Sequence, residues 1–504
     1  MARSDHPANE PAKRSGPPGS LPVLVVGRPE LVSITEDARQ TASEGGTRTV
    51  GSAAAQRAMS AGAPAISSDG RFVAFVSESG DLVPGDSNDA ADVFVRDLVA
   101  NTTILVSRSM HGGSAAGSSL QPAISADGRF VAFTSSAQDL VEGDSNGSLD
   151  VFVHDLRTQV TTLVSRGSDG ELADNDSFSP SLSADGRFVA FSSLASNLDP
   201  DDTNAAPDVF MHDRVTGRTT LVSRGSNGQS GDGPSGQPSV SANGRLVAFT
   251  SAAHFAPEDD NDVTDVYVHD MESCENELVS KATDGQAGNA PSHGPALSAD
   301  GDTVAFTSEA TDLVDRDDNM ASDVFVHHRP SGSTRMVSTT PHGEPAGDHS
   351  HSPSVSGDGG RVAFLSAAPD LTPGAGIPAA AGSEPAPSGP DRAYVRDLTG
   401  AGTALVSSTR ERTPADGEAS GIAISTWGRH VAFSDSSTDL AGQGPSDGTP
   451  HVYTAGLRTA YLPGPVRPSG RHTQAAQSAP SVQSAESSPA DSQGVENPDA
   501  DPEA

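Results

Sequence analysis

An all-β fold, a seven-bladed β-propeller of four-stranded antiparallel blades with disordered N- and C-terminal tails, is predicted by three observations on the 504-residue chain. The string S-A-D-G-R-x-V-A-F recurs seven times, closing at Phe75, Phe133, Phe191, Phe249, Phe306, Phe364 and Phe433, in steps of 58, 58, 58, 57, 58 and 69 residues. Two further strings keep phase with it. D-V-F-V-x-D spans 92–97, 150–155, 208–213 and 265–270, and more loosely 323–328 and 391–397; L-V-S begins at Leu105, Leu163, Leu221, Leu278 and Leu405, with Met336 in its place once. Finally, each repeat holds four short runs rich in Val, Phe and Thr, bounded by Asp-Gly and Asn-Gly clusters, and none shows helical periodicity.

In the second repeat the four runs are 122–125, 129–135, 150–154 and 161–165. Side chains alternate along a strand, so Val131 and Phe133 share one face while Phe130 and Ala132 share the other. Both faces are apolar, which requires each sheet to be covered on both sides. Radial stacking of sheets around an axis does this. A β-solenoid is the rival, but its repeats run to roughly 20–30 residues with one or two strands, which a four-run unit exceeds.

Within a blade, the turn at Asp69-Gly70 and its equivalents, and the turn after Asp97, are tight. Asp-Gly suits a hairpin because glycine accepts positive φ. The longer loops, from strand two to three and from strand four to the next strand one, share one rim. A Pro/Ala/Gly-rich loop around 373–390 accounts for the long sixth step. The ring must also close. Glu30-Leu31-Val32-Ser33 repeats the L-V-S string, so a strand around 30–33 is expected as the outer strand of blade seven. Alternatively, 457–462 completes that blade and 21–33 adds a ribbon. The propeller is thus assigned to 21–464, with 1–20 and 465–504 as disordered tails whose composition cannot bury a core.

A net charge of −36 excludes nucleic acid and anionic membrane surfaces as partners, since both attract Lys and Arg. No run reaches the roughly 18 apolar residues of a membrane helix, so no membrane insertion is expected. The apolar run at 21–26 is too short for a signal peptide and lacks a cleavage site, which leaves the cytoplasm as the default compartment. Cys274 is the single cysteine, which rules out an intramolecular disulfide. A monomer is expected.

The sharpest chemical pattern is D-x-N-x-x-x-D on the long-loop rim. It occurs as Asp86, Asn88, Asp92; Asp144, Asn146, Asp150; Asp202, Asn204, Asp208; Asp259, Asn261, Asp265; and Asp317, Asn319, Asp323. Closely spaced side-chain oxygens suit calcium, which takes hard oxygen ligands. The same residues also cap backbone donors in Asx-turns. His154, His212, His269 and His327 share one strand position, held by Arg96 and Arg396 in blades one and six. A position spread around a ring cannot converge on one metal, and these residues are expected to face solvent. Asp348-His349-Ser350-His351 is a candidate transition-metal loop. The matches to G-x-S-x-G at 444–448 and G-x-G-x-x-G at 231–236 lack the elbow or helix those motifs need, and read as loops.

Ser125-Ala126-Asp127-Gly128-Arg129-Phe130-Val131-Ala132-Phe133, followed by Asp150-Val151-Phe152-Val153-His154-Asp155, resembles the WD-repeat-like propeller unit of the TolB family. The resemblance covers about 60–462; TolB has a six-bladed propeller and an N-terminal α/β domain, whereas here seven repeats follow a short tail, so a stand-alone propeller is expected. The resemblance also implies a periplasmic or secreted location as the alternative to the cytoplasm. The same unit occurs in prolyl oligopeptidase-like peptidases, whose serine elbow is missing here, and in a pectin-fragment lyase. The expected function is a non-enzymatic scaffold recognising a protein or peptide on the long-loop rim. The alternative is a metal-dependent propeller lyase or hydrolase with its site on the same rim.

Overall fold

The structure, a computed structural model, describes residues 21–34, 63–372, 389–440 and 449–462. The tails at 1–20 and 465–504, most of the loop around 373–390, and the Gly-rich 444–448 segment lie outside the described residues.

Seven antiparallel sheets follow one another along the chain, and in the first six the strands pair in sequence order. Blade two is representative, with strands Ser119–Ile124, Phe130–Ser135, Asp150–Asp155 and Val160–Leu163. Its central register sets Phe133 opposite Phe152, which in turn faces Leu163. The two rings stack at 5.8 Å, and the same pairing recurs at 5.6–6.1 Å in the other six blades.

The V-A-F string explains how blades pack. Val131, Phe133 and Phe152 lie against Ala74, Val93 and Val95 of blade one. Ala132, Val151 and Val153, on the opposite face, lie against Val189, Phe191 and Phe210 of blade three. Each blade thus offers bulky aromatics to one neighbour and small aliphatics to the other, filling the space between sheets at interior density. Seven such clusters among the described residues occupy the seven inter-blade gaps.

Blade seven combines Ala419–Ile424, His430–Asp435 and the 12-residue strand His451–Leu462 with strands from the other end of the chain. Leu31 pairs with Tyr453, which faces Phe433, so Leu31 stands where Leu163 stands in blade two. Beyond it, Leu21–Val26 pairs with Leu457 through Leu462 as a two-stranded extension.

The first strand of blade two starts at Ser119, ahead of the apolar run read from the sequence, because a bulge interrupts it. The register shifts between Leu120 and Ala123, and Gln121 sits at φ 53°. Ser179, Gln237, Gly294 and Ser352 repeat this positive φ. The bulge turns Gln121 toward the next blade, where its Oε1 accepts the Ser179 N–H at 2.9 Å.

Candidate functional site

The two sets of long loops meet on one rim and are hydrogen-bonded to each other. Asn88 Nδ2 donates to the Ala115 carbonyl at 2.8 Å, and Ser119 N to the Ala91 carbonyl at 2.7 Å. The next blade joins in: Ala116 N donates to Asp139 Oδ1 at 2.9 Å. The same link recurs at Asn197, Asp312, Asp370 and Asp439, so the rim is tied blade to blade.

The D-x-N-x-x-x-D residues divide into different jobs. Each Asn closes an Asx-turn: Oδ1 of Asn88, Asn146, Asn204, Asn261 and Asn319 accepts the N–H two residues on, at 2.8–3.2 Å. The residue after it (Asp89, Gly147, Ala205, Asp262 or Met320) adopts left-handed φ of 53–71°. The Asn amide nitrogen reaches the carbonyl of Ala115, Ala173, Gly231, Gly288 or Ala346. These asparagines organise the loop with both ends of their side chain.

The last aspartate of each motif is fully buried: Asp92, Asp150, Asp208, Asp265 and Asp323 are 0% exposed. One oxygen of each accepts a serine hydroxyl at 2.5–2.6 Å, from Ser107, Ser165, Ser223, Ser280 or Ser338, the third residue of the L-V-S string or its equivalent. That serine in turn accepts a strand N–H, such as that of Val151 at 3.0 Å. The other oxygen, Oδ2, has no partner in Asp92, Asp150 and Asp208. In blades four and five it accepts the Asn261 or Asn319 amide at 3.0 or 2.7 Å.

The first aspartates, Asp86, Asp144, Asp202, Asp259 and Asp317, lie half-buried or buried beside them. Oδ1 of Asp144, Asp259 and Asp317 is without a partner, while Asp259 takes the Tyr267 hydroxyl on its other oxygen. Burial pushes Asp92, Asp144, Asp265 and Asp317 up to about 6, and Asp208 and Asp323 up to about 7. In all five loops, repulsion from the first aspartate raises the last one or is raised by it. Blade six places Arg392 and blade seven His451 at the buried position.

The strand histidines do not face solvent. His154, His212, His269 and His327 are at most 5% exposed. The loop after each blade folds over the outer strands of the next, as when Ser168 and Thr219 exchange backbone and hydroxyl hydrogen bonds. Under that cover His212 Nδ1 meets Thr219 Oγ1 at 2.9 Å, and burial pushes the ring down to about 4. His349 and His351 have separate engagements, the first with Ser322 and the second with Asp391 at 2.9 Å. Among the described residues no group of three or more His, Cys, Asp or Glu is arranged to hold a metal. Residues 231–236 run directly into a strand, Ser235–Val240, so no helix N-terminus follows those glycines. The L-V-S serine and the Asp139-type cap were both visible as recurring letters, but nothing local distinguished them from ordinary surface residues.

No protein-family model matches the chain, and no curated protein sequence does. Among solved structures, TolB from Acinetobacter baumannii is similar at 15% identity, with a TM-score of 0.37, over 67% of this chain and 63% of TolB. The chain therefore spans less than two thirds of that protein's length. An oligogalacturonate lyase from Vibrio parahaemolyticus is similar at 13% identity over 78% of this chain and 88% of the lyase, with a TM-score of 0.46. The β-propeller domain of the trilobed protease from Pyrococcus furiosus is similar at 11% identity over 78% and 91%, with a TM-score of 0.44. These are likenesses of fold and say nothing of chemistry.

Proposed function

We propose that the protein is a non-enzymatic scaffold whose long-loop rim binds a basic segment of a protein or peptide. The observation that carries this is the charge of the loops between strands two and three. In blades one to five, residues 78–91, 136–149, 194–207, 252–264 and 309–322 hold 19 Asp and Glu against a single Arg, Arg316. Many of these acids, among them Asp89, Glu142, Asp201, Asp262 and Asp318, are exposed. Charges of one sign gathered on a surface raise the local concentration of opposite charge and speed association. The hydrogen bonds that tie each loop to its neighbours favour a preformed surface, which lowers the ordering cost of binding.

The test is a titration of an arginine-rich peptide and its glutamate counterpart against the purified chain at low and high salt. Binding is expected for the basic peptide alone, weakening as salt rises. Replacing Asp89, Glu142, Asp201, Asp262 and Asp318 together with Asn or Gln should lower the affinity at least tenfold. Equal binding of both peptides, or no effect of these substitutions, would overturn the reading.

A further inference from the structure

Beneath the exposed acids lies a second set of carboxylates with different chemistry. In blade two, Asp150 is 0% exposed, with Oδ1 bonded to Ser165 and Oδ2 unpartnered. Asp144, six positions earlier in the same loop, has an unpartnered Oδ1, and the two carboxylates repel one another. Blades one and three repeat the buried half of this arrangement, with Asp92 Oδ2 and Asp208 Oδ2 unpartnered and repelled by Asp86 and Asp202. A buried charged oxygen without a donor is expensive, and a second carboxylate near enough to repel it adds to the cost.

The chain's own groups relieve it only in part: the Asn146 side chain and the Arg166 charge favour the ionised Asp150, yet its Oδ2 has no donor within hydrogen-bond distance. The Ser148 N–H is taken by Asn146, the Leu149 N–H by Asp176, and the Val151 N–H by Ser165. The Asn146 amide is directed to the Ala173 carbonyl. Blade six offers an internal comparison, because there a cation replaces the carboxylate at the position itself: Arg392 opposes Ser366 as Asp150 opposes Ser135.

We propose that blades one to three each hold a hard divalent cation of the calcium class between paired aspartates: Asp86 with Asp92, Asp144 with Asp150, and Asp202 with Asp208. Calcium suits the position better than magnesium. It accepts about six to eight oxygens in adaptable geometry and completes its shell from carbonyls and water, whereas magnesium demands near-ideal octahedral surroundings. Blade two, where both carboxylates present a free oxygen, binds tightest. Blades four and five bind more weakly, because Asn261 and Asn319 already donate to the buried carboxylate.

The experiment is calorimetric titration of calcium chloride into chelator-stripped full-length protein at pH 7.5, with thermal melts in calcium and in chelator. Saturable binding of about three ions and a rise in Tm of several degrees are expected. Asp150→Asn keeps the serine hydrogen bond and removes the charge. It should abolish the tightest site and leave the Tm in chelator unchanged or higher. A purely structural role for the carboxylate would lower that Tm instead. Should Asp150→Asn not fold, Asp144→Asn, at the half-buried partner, tests the same site. Exposed Asp169→Asn is the control and should change nothing. Absence of saturable binding, or the same stoichiometry and affinity after Asp150→Asn or Asp144→Asn, overturns the proposal.

Discussion

Arg129 and Asp155 form a two-point ion pair, Nε to Oδ1 at 3.0 Å and Nη2 to Oδ2 at 2.5 Å, which joins the turn before strand two to the end of strand three. The guanidinium also lies 4.4 Å from the centre of the Phe130 ring, and Asp155 accepts the Arg157 N–H at 2.9 Å. One pair therefore fixes both tight turns of the blade. Arg129 holds the Asp155 carboxyl well below the usual carboxylate range. A carboxyl depressed in the folded state adds stability that is present above its unfolded value near pH 4 and is lost as the pH falls below it. Arg129→Gln should therefore lower Tm at pH 6, and the gap to wild type should narrow as the pH drops below about 4. A gap that stays constant down to pH 2 would show that packing on Phe130, and not the ion pair, is what the substitution removes.

The turn glycines separate two penalties that usually come together. Gly186 has φ 69°, and a Cβ there would lie 2.4 Å from the Phe130 ring of the preceding blade. Gly217 has φ 73° but open space around it. Gly217→Ala should cost about 1–2 kcal/mol, the penalty of left-handed backbone alone. Gly186→Ala should cost at least twice as much as Gly217→Ala, because Phe130 must also move. Urea midpoints at unchanged slope would measure both, and equal costs would contradict the close approach.

What was legible in the sequence follows from which interactions are local. The V-A-F string announced two apolar faces because alternation along a strand is a property of neighbouring residues. The sizes on those faces, Phe133 one way and Ala132 the other, already encode the bulky-on-small packing between blades. The sequence pattern points His212 outward, whereas its cover, around Ser168, comes from the preceding blade, 51 residues away from Thr219 in the chain. Asn88 stayed ambiguous for another reason. Asx-turns and calcium sites draw on the same residue types, and only the hydrogen-bond partners, Ala90 N and the Ala115 carbonyl, tell them apart. The same loop's Asp92 shows the opposite outcome, since its unpartnered oxygen is visible only once burial is known.

The buried aspartates also predict how stability varies with pH in the absence of metal. Burial, with Asp202 adding repulsion, pushes Asp208 up to about 7. A carboxyl raised in the folded state stabilises fully below its unfolded value near 4, and this contribution is lost as the pH rises through about 7. His154, His212 and His327, pushed down to about 4, act in the opposite sense below pH 6.5. A comparison of Asp208→Asn with wild type removes their contribution, since both chains share them. In chelator, the variant should be more stable than wild type at pH 8, on the order of 3 kcal/mol, and lose that advantage by pH 4.5. An Asp208→Asn chain less stable at pH 8 would mean that Asp208 is already neutral there or paired.

Closure of the ring rests on a few residues near the N-terminus. Val32 is 0% exposed and packs with Ile66, Val73 and Phe75 of blade one and with Ala432 and Val452 of blade seven. Its N–H donates to the Val452 carbonyl at 2.7 Å, and Ser33 Oγ accepts the Val452 N–H at 3.1 Å, in the manner of the other L-V-S serines. Strand Glu30–Leu31 thus bonds to blade seven while the next side chain wedges against blade one. Val32→Ala should cost about 2 kcal/mol through the cavity it leaves. Removing residues 1–34 should do more, because it strips the outer partner from strand His451–Leu462 and bares a sheet edge open to other chains. The truncated protein is expected to melt at lower temperature and to self-associate, and a synthetic peptide spanning 21–34 should reverse both effects in trans. A truncated chain that melts as a monomer at the wild-type temperature would show that blade seven closes the ring without the N-terminal strands.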